Sequence, residues 1–377
     1  MKVMIIVTHL LGTGHLARAL TLARAHVDAG DDVCVVSGGV PAPVLDHGDV
    51  ALVQLPPVRS DGVDFTRLLD SSGATANSDL LNARQAALLA ALHRFAPDVL
   101  ITELFPFGRR ILRDEFGALL NAANALASRP LVCASIRDIL APPSKPRKAQ
   151  FADDTLARFY DAVLVHSDPD LTPLEVSWPV SDTLRPLLNY TGFVSPSAAG
   201  PHGQGLGKDE IIVSAGGGNV GLHVYEAAVD AAHRLPHPVR VLVGGAEPQG
   251  SIKALRARAA ENTIIEPARP DFRQMLYHAA ASVSLCGYNT ALDILQAGVP
   301  AVFVPFDDGN EIEQGLRAAA LAKRDGIAQL NRAQLSPDAL VAALADVMAA
   351  PRRDAGTLGF DGAVRAVEIT HKLRSAL

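Results

Sequence analysis

Short apolar, β-branched runs alternate with helix-like stretches along this chain, and two of these runs end in the same way. The segment "VMIIVTHLLGTGHLARALTLARA" passes from a buried-strand pattern through a glycine loop into a helical pattern. Much further along, "DEIIVSAGGGNVGLHVYEAAVDAAHRL" repeats that order. Alternating strands and helices predict a parallel sheet covered by helices on both faces. The sequence therefore predicts two doubly wound α/β units, each opening with a strand–glycine–helix turn.

Between the two units the alternation breaks down. The stretch "NYTGFVSPSAAGPHGQGLGK" is dense in Gly, Pro and Ser, as is typical of a linker. We therefore expect one domain over residues 1–190 and a second over residues 205–360, a division that suits a length of 377 residues. The last helical pattern, over residues 361–377, is expected to pack back on the first domain.

The position of the ligand site follows from this architecture. Ligands of doubly wound sheets bind at the carboxyl ends of the strands. We therefore expect two facing sheets, with the ligand site in the cleft between the domains.

Composition and charge exclude several classes of protein. A formal net charge of −6, from 34 Lys and Arg against 40 Asp and Glu, argues against nucleic acid as a partner, since phosphate binding needs a basic face. No apolar run approaches the roughly 20 residues that span a bilayer. We expect a cytoplasmic protein, with peripheral contact at the inner face of the membrane left open. The basic stretch "PPSKPRK" is either a solvated loop or a patch for an anionic membrane surface or substrate.

The first glycine loop has two interpretations. Gly12, Gly14 and Ala17 fit G-x-G-x-x-A, a loose dinucleotide-binding fingerprint. That fingerprint also needs an acid at the end of the second strand, where "DDVCVVSGG" ends in Ser and Gly. A nicotinamide cofactor is therefore disfavoured, and the loop is better explained as the carrier of His15, which opens the helical pattern.

The second glycine loop is the better anion site. It comprises Gly216, Gly217, Gly218 and Asn219. Three glycines let backbone N–H groups turn inward, and the following helix offers its positive end to a diphosphate. No G-K-[ST] follows, so the loop is not the P-loop of the nucleotide hydrolases. The alternative is a tight strand-to-helix turn that holds no ligand.

A third element, "CGYNTALDILQAGVP", also leaves a strand and enters a short helix. This order puts Asn289 and Thr290 at the anion-binding end of the helix. Asp293 lies three residues after Thr290, at capping-box spacing, so a helix-capping role is its alternative.

No metal and no cofactor are expected. Asp168 and Asp170 form a D-x-D sequence, but nothing nearby completes a metal shell and the segment is typical of a turn. The cysteines Cys34, Cys133 and Cys286 lie far apart in apolar surroundings, which indicates reduced thiols and not a zinc site or a disulfide frame.

These motifs match a known family. The chain resembles the two-domain glycosyltransferases of the GT-B architecture, and most closely a MurG-like group of predicted bacterial transferases. The segment "GTGHLARALTLARAHVDAGDDVCVV" is similar to their opening loop and first helix, and "CGYNTALDILQAGVP" is similar to the donor signature of UDP-sugar transferases. The resemblance covers both halves and implies two facing Rossmann-like domains, the first binding the acceptor and the second the nucleotide-sugar donor.

The resemblance also implies roles for single residues of the donor signature. Asn289 and Thr290 would bind the diphosphate. Asp293, which replaces the more usual Glu, would bind the ribose hydroxyls. Glu313-Gln314 matches the pair that touches the sugar.

The chain departs from the family in two places. Leu285 stands where plant-type transferases have a phosphate-contacting histidine, so the diphosphate would depend more on the Gly216–Gly218 loop. No aromatic platform for the uracil is evident in the sequence, and backbone contacts to the uracil are assigned near Phe272 by position.

Gly14, in the first loop, is counted with the donor-binding residues.

The family also assigns a role to the first loop, in which a histidine deprotonates the acceptor hydroxyl and is held by a carboxylate on a nearby strand end. Here the matching residues are His15 and Glu103, the last residue of "PDVLITE". A His–carboxylate pair supplies a base at neutral pH, and the carboxylate should make the ring readily charged. A plain helix N-cap is the alternative role of His15.

The predicted function is metal-independent, inverting transfer of a sugar from a UDP-sugar to a hydroxyl acceptor, which is a lipid, a saccharide or a small metabolite. The helix ends and the glycine loop would neutralise the leaving diphosphate, so no metal is required. The alternatives are a UDP-sugar hydrolase, in which water replaces the acceptor, and a catalytically silent nucleotide-sugar-binding protein. The segments "FPFGRRILRDEFG" and "PPSKPRKAQF" favour an acceptor-binding first domain, and hence transfer.

Overall fold

The chain folds into two compact units, each built around one parallel sheet. The first unit comprises Met1–Ser195 and Gly359–Leu377, and the second comprises Pro196–Leu358. The computed structural model describes residues 1–43, 45–60, 67–216, 220–245, 247–307, 311–354, 356 and 358–377. This confirms the predicted fold class of two parallel-sheet α/β units.

The sheet of the first unit has seven strands within the described residues. They are β1 (Lys2–Val7), β2 (Asp32–Ser37), β3 (Ala51–Gln54), β4 (Val99–Glu103), β5 (Leu131–Arg137), β6 (Ala162–His166) and β7 (Leu188–Tyr190). Their order is β3-β2-β1-β4-β5-β6-β7, and every neighbouring pair is parallel. Four helices connect them: α1 (Gly14–Asp28), α2 (Ser78–Phe95), α3 (Arg113–Asn124) and α4 (Pro146–Phe159).

The apolar run of β1 explains why this sheet is covered on both faces. Residues 3–7 are fully buried. Because successive side chains of a strand point to opposite faces, Met4 and Ile6 enter one core cluster while Val3, Ile5 and Val7 enter the other. A strand that is buried on both faces needs a continuous apolar run, as this sequence has.

The second unit repeats the plan with six described strands. They are β8 (Ile211–Ser214), β9 (Val239–Val243), β10 (Thr263–Pro267), β11 (Ala281–Ser284), β12 (Ala301–Phe303) and β13 (Ile327–Gln329). Their order is β10-β9-β8-β11-β12-β13, again all parallel. The helices are α5 (Leu222–Ala231), α6 (Gln249–Arg256), α7 (Phe272–Met275), α8 (Tyr288–Ala297), α9 (Glu313–Leu321) and α10 (Pro337–Ala349).

The last helix, α11 (Gly362–Ser375), is part of the first unit. Its Ala366 is fully buried against that unit's core. His371 Nε2 lies 2.8 Å from Asp31 Oδ2, and Arg374 donates to the carbonyl of Arg129 at 3.0 Å. Among the described residues, no helix combines the length and the apolar character that crossing a membrane requires.

Each sheet has one point where the strand order reverses. In the first sheet it lies between β1 and β4, and in the second between β8 and β11. Ligands of open α/β sheets bind outside the carboxyl ends of the strands at such a switch point. The loops that leave these four strands therefore position the candidate site residues.

Candidate active site

The switch point of the first sheet carries His15 at the start of α1. The helix begins at Gly14, and Thr13 occupies the N-cap position without a side-chain cap hydrogen bond. His15 is therefore the second helical residue, and its ring bonds elsewhere, so the N-cap alternative is wrong. Arg18 follows three residues later and lies on the same helix face.

Glu103, the last residue of β4, gathers three donors around one buried carboxylate. Its Oε1 accepts from Nδ1 of His15 at 2.9 Å and also from Nη2 of Arg18. Its Oε2 accepts from the hydroxyl of Ser135 on β5 at 2.6 Å. Burial raises the pKa of Glu103, but Arg18, His15 and Ser135 outweigh burial and hold it well below its usual range. The carboxylate is thus ionised and fully hydrogen-bonded.

The same contacts fix the tautomer of His15. Nδ1 lies 2.9 Å from Oε1 of Glu103 and 3.2 Å from Nη2 of Arg18. The ionised carboxylate is the closer partner and can only accept, so Nδ1 is assigned the proton and Nε2 keeps the lone pair. Within the described part of the chain, no hydrogen-bond partner approaches Nε2, and the side chain is 14 % exposed. Nε2 is therefore the ring atom that can accept a proton from a ligand.

The charge state of His15 differs from the sequence-based expectation. We expected Glu103 to make the ring readily charged. Instead burial, together with Arg109 and Arg18, lowers the pKa of His15 to about 3, although the hydrogen bond to Glu103 opposes the change. That expectation was wrong because burial of the ring, with smaller contributions from Arg109 and Arg18, outweighs the hydrogen bond to Glu103.

Sequence reasoning missed the rest of this network. The hydroxyl of Ser135 accepts from Nε2 of His166 at 2.9 Å, and Nδ1 of His166 lies 2.9 Å from the hydroxyl of Thr191. Burial, with Arg18, lowers the pKa of His166 to about 3, so this ring is neutral. Ser135 and His166 sit near the carboxyl ends of adjacent parallel strands, inside apolar runs. A polar residue near the carboxyl end of an apolar strand run is the sequence signal that could have identified Ser135 and His166.

In the second unit, the glycine loop is described only in part. Gly216 has a φ of 77°, in the left-handed region that favours glycine, while Gly217, Gly218 and Asn219 lie outside the described residues. The hydroxyl of Tyr225 on α5 accepts the backbone N–H groups of Ala215 and Gly244, each at 3.2 Å. Tyr225, also missed from the sequence, thus anchors the beginning of the loop to the end of β9.

The donor signature forms the N-terminus of α8. Gly287 is the N-cap, and the first hydrogen bond of the helix runs from the N–H of Ala291 to the Gly287 carbonyl. Asn289 and Thr290 are therefore in the first turn, where backbone N–H groups point out of the helix end and attract an anion. Arg317, a buried arginine of α9, donates to the Cys286 carbonyl at 2.9 Å and lies beside this turn.

Asp293 does not cap this helix. Because α8 begins at Tyr288, Asp293 falls in its second turn, and the capping alternative is wrong. Its Oδ1 accepts from Nε of Arg273 at 2.8 Å. The same guanidinium donates to Gln296 at 2.8 Å and to the carbonyl of Ser197 at 2.7 Å. Burial raises the pKa of Asp293 to about 6 despite Arg273.

The remaining predicted donor residues lie on different elements. The side-chain oxygen of Gln314 accepts the backbone N–H groups of Cys286 at 3.0 Å and Phe306 at 3.1 Å, so this residue ties together the segments that leave β11 and β12. Glu313 begins α9 and Phe272 begins α7, both half-buried. Gly14 lies beside His15 in the first unit, whereas the other predicted donor residues belong to the second unit.

No cluster at either switch point has the geometry of a metal site within the described residues. Asp168 accepts the N–H of Asp170 at 2.9 Å, which forms the expected turn. His26, Asp31 and His371 do come together, but at the amino end of the first sheet. Their 2.7 and 2.8 Å contacts are hydrogen bonds of two rings to one carboxylate oxygen.

Solved structures establish the class of fold. MurG of Acinetobacter baumannii aligns with a TM-score of 0.60 at 17 % identity, over 100 % of this chain and 98 % of that one. The kitacinnamycin glycosyltransferase aligns with a TM-score of 0.66 at 18 % identity, over 99 % of this chain and 98 % of that one. The chain therefore has the GT-B fold.

Sequence comparisons narrow the class further. Residues 226–357 match the glycosyltransferase family 28 C-terminal domain. Two bacterial UDP-N-acetylglucosamine--N-acetylmuramyl-(pentapeptide) pyrophosphoryl-undecaprenol N-acetylglucosamine transferases are also similar. That of Agrobacterium fabrum is 26 % identical over 37 % of this chain, and that of Methylorubrum populi is 29 % identical over 36 %. The match spans 39 % of each relative's length. The chain is thus similar to these transferases over part of its length, and its second unit contains the match to the family 28 domain.

Proposed function

We propose that this protein is an inverting, metal-independent glycosyltransferase that moves a sugar from a UDP-sugar to a hydroxyl acceptor. The observation that carries the proposal is the His15–Glu103 pair at the carboxyl edge of the first sheet, with Nδ1 held and Nε2 unpaired within the described residues. The family 28 domain in the second unit supports a glycosyl donor. The names of the two related transferases specify UDP-N-acetylglucosamine, which supports uridine as the nucleotide.

The donor is assigned to the second unit. The amides of Asn289 and Thr290 and the Gly216 loop bind the diphosphate, and Arg317 adds a positive charge behind the helix end. Asp293 accepts the ribose hydroxyls while it keeps its bond to Arg273. Phe272 lies by the uracil.

The sugar of the donor is assigned to the Glu313-Gln314 pair. The oxygen of Gln314 is occupied by two backbone N–H groups, so its amide nitrogen is the group that reaches the sugar. Glu313 accepts from a sugar hydroxyl.

In the chemical step, the first unit supplies the base, His15, and the carboxylate that holds it, Glu103. The acceptor oxygen forms a bond to the anomeric carbon as the bond from that carbon to the diphosphate breaks, and the diphosphate leaves with the electron pair. The acceptor proton moves to Nε2 of His15, while Glu103 holds Nδ1–H and so stabilises the imidazolium that results. Burial keeps the ring neutral at pH 7, so Nε2 is unprotonated before the reaction, and the hydrogen bond to Glu103 offsets part of the cost of charging the ring.

The acceptor is a lipid, a saccharide or a small metabolite. The relatives' names specify an undecaprenol-linked acceptor, which supports a lipid. A lipid acceptor implies a cytoplasmic protein that makes peripheral contact with the inner face of the membrane.

The test is titration calorimetry of the intact protein with UDP, GDP and TDP, followed by product analysis with UDP-sugars and candidate acceptors. We expect UDP to bind most tightly, and glycosylated acceptor to form. Equal affinity for GDP, or no binding of UDP, contradicts the donor assignment. Sugar release that no acceptor accelerates would make the protein a hydrolase, and UDP-sugar binding without any turnover would make it a binding protein.

A further inference from the structure

A row of polar side chains crosses the carboxyl edge of the first sheet, beginning at Glu103. Glu103 of β4 and Ser135 of β5 are directly paired residues, so their side chains lie on the same face. Ser135 pairs in turn with Leu164 of β6, and His166, two residues further, is therefore on that face as well. Thr191, directly after β7, extends the row. Strand register thus brings three polar residues that the proposed mechanism does not use beside the carboxylate that it does use.

This polar row is not required for packing. Ser135, His166 and Thr191 are fully buried. Two positions before Glu103, Ser135 and His166, the same face carries apolar residues of one core cluster: Ile101, Cys133 and Leu164. Replacing both partners of a buried hydrogen bond by apolar groups of similar shape is nearly neutral, so apolar side chains could continue this face to the edge. The effect of the row on Glu103 is therefore the better explanation for its presence.

The hydrogen bonds of the row all run toward Glu103. An ionised carboxylate can only accept, so the hydroxyl of Ser135 donates to Oε2 at 2.6 Å. With its one proton used, that hydroxyl accepts from Nε2–H of His166 at 2.9 Å. The neutral ring of His166 keeps its lone pair on Nδ1, which accepts from the hydroxyl of Thr191 at 2.9 Å. Hydrogen bonds in such a chain polarise one another, which strengthens the bond to Oε2.

Arg18 competes with His15 for the same carboxylate. Both donate to Oε1 of Glu103. A guanidinium pairs best with both oxygens of a carboxylate, so a free Oε2 would let Glu103 turn toward Arg18 and away from His15. Nη2 of Arg18 also lies 3.2 Å from Nδ1 of His15. Without the carboxylate, Nδ1 would accept from this guanidinium and Nε2 would carry the proton, a tautomer that cannot act as the base.

We propose that Ser135 and His166 are positioning residues, which hold Oε2 of Glu103 so that Oε1 remains the acceptor of Nδ1–H and Nε2 of His15 remains unprotonated. This rests on the proposed function, in which His15 is the base, and adds two residues that select its tautomer. Ser135 acts directly on Glu103, and His166 acts through Ser135.

The test compares two variants with a matched control, all in the intact protein. Ser135→Ala removes the hydroxyl that holds Oε2. Ser135→Ala/His166→Leu removes both polar partners, so that no N–H of His166 is left buried without an acceptor if the single variant folds poorly. The control is Ser167→Ala, which loses a fully buried hydroxyl that donates to the carbonyl of Thr172 at 2.7 Å. Within the described residues that hydroxyl has no contact with Glu103.

The first measurement is the tautomer of His15, from long-range ¹H–¹⁵N NMR spectra of protein labelled with ¹⁵N-histidine. His15→Ala assigns the signals of this ring among the 12 histidines. We expect the Nδ1–H tautomer in the wild type and in Ser167→Ala, and a shift toward the Nε2–H tautomer in both Ser135 variants. An unchanged tautomer in the Ser135 variants, or the Nε2–H tautomer in the wild type, overturns the inference.

The second measurement is turnover, followed as UDP formation from UDP-N-acetylglucosamine or from whichever UDP-sugar the wild type uses in the product analysis above. In both Ser135 variants kcat should fall about tenfold or more, the scale on which hydrogen-bond partners one step away from a functional group act. KM for the UDP-sugar and the affinity for UDP should stay at the wild-type values, because the donor is assigned to the second unit. Wild-type turnover by Ser135→Ala, or an equal loss in Ser167→Ala, overturns the inference.

The two measurements separate this inference from the proposed function. Wild-type protein that binds UDP but has no turnover contradicts the proposed function, and the spectra, which need no substrate, then decide whether the row selects the tautomer. Normal turnover in Ser135→Ala beside a large loss in His15→Ala overturns the inference and leaves the proposed function standing.

Discussion

The two switch points share one strand plan but use different chemistry at their carboxyl edges. In the first sheet, the ionised side chains of Glu103 and Arg18 meet the neutral ring of His15 in a buried cluster. In the second, the edge presents a glycine loop and the N-terminus of α8, and side chains such as Tyr225 serve to hold backbone groups in place. The same scaffold thus carries a site suited to moving a proton and a site suited to holding an anion.

The two edges should also respond differently to side-chain substitutions. The charges of the first edge are buried and compensate one another, so removal of one partner leaves another uncompensated in an apolar setting. The second edge relies mainly on backbone N–H groups and the helix dipole, which a side-chain substitution does not remove. We therefore expect substitutions at the first edge to affect stability and turnover, and those at the second to affect nucleotide affinity.

The largest expected effect comes from Glu103→Gln, which removes the buried negative charge that pairs with the guanidinium of Arg18. Breaking such a buried pair costs roughly 3–5 kcal/mol of unfolding free energy. Urea denaturation of the variant checks this value. The double variant Arg18→Met/Glu103→Gln, which removes both charges, should recover most of the loss.

The difference in unfolding free energy between the wild type and Glu103→Gln should change with pH in one direction. The pKa of Glu103 is lowered from its usual 4.5, so its contribution to stability is fully present above pH 4.5 and is lost as pH falls through the folded-state value. The stability gap between wild type and Glu103→Gln should therefore narrow on acidification below 4.5. A Glu103→Gln protein as stable as the wild type at pH 7 contradicts the account of the first edge.

A smaller effect is expected for Asp293→Asn in the second unit. Loss of a charged acceptor for the ribose hydroxyls should weaken UDP binding by roughly 1.5–3 kcal/mol, with little change in stability. Titration calorimetry measures the affinity, and the His15→Ala variant, whose UDP affinity should not change, serves as the control.

Asp293 also predicts how UDP affinity varies with pH. Its pKa is raised to about 6, so the carboxylate becomes protonated, and a poorer acceptor, as pH falls through that value. Wild-type affinity should therefore decline more steeply between pH 7 and 5 than that of Asp293→Asn, because titration of the terminal phosphate of UDP affects both proteins equally. An unchanged affinity in the folded variant would leave Asp293 as a partner of Arg273 and nothing more.

The parts of the fold that depend on local pattern could be predicted from the sequence. Continuous apolar runs such as that of β1 predict parallel strands buried on both faces, and both sheets were predicted for that reason. The family resemblance pointed to His15 and Glu103, and the structure brings them together because β1 and β4 are neighbours at the switch point. The roles of the two residues remain a proposal.

The features that could not be predicted arise from tertiary packing. The burial of His15, which lowers its pKa most, depends on the packing of the whole domain and was missed. Arg18 is visible at helical spacing from His15, but the carboxylate that it contacts belongs to a strand 85 residues away. The Arg273–Asp293 pair joins two helices 20 residues apart, which no local pattern encodes. Helix capping stayed open as the alternative role of Asp293 because the spacing did not show that α8 begins at Tyr288.

The most direct test of the central claim is the paired measurement of turnover and UDP affinity in His15→Ala. The substitution leaves the Glu103–Arg18 pair in place, so we expect a folded protein. Turnover should fall by roughly 10²–10⁴, the range for loss of a general base, while UDP affinity stays at the wild-type value. Near-normal turnover, or an equal loss of turnover and UDP affinity, would contradict the assignment of His15 as the base.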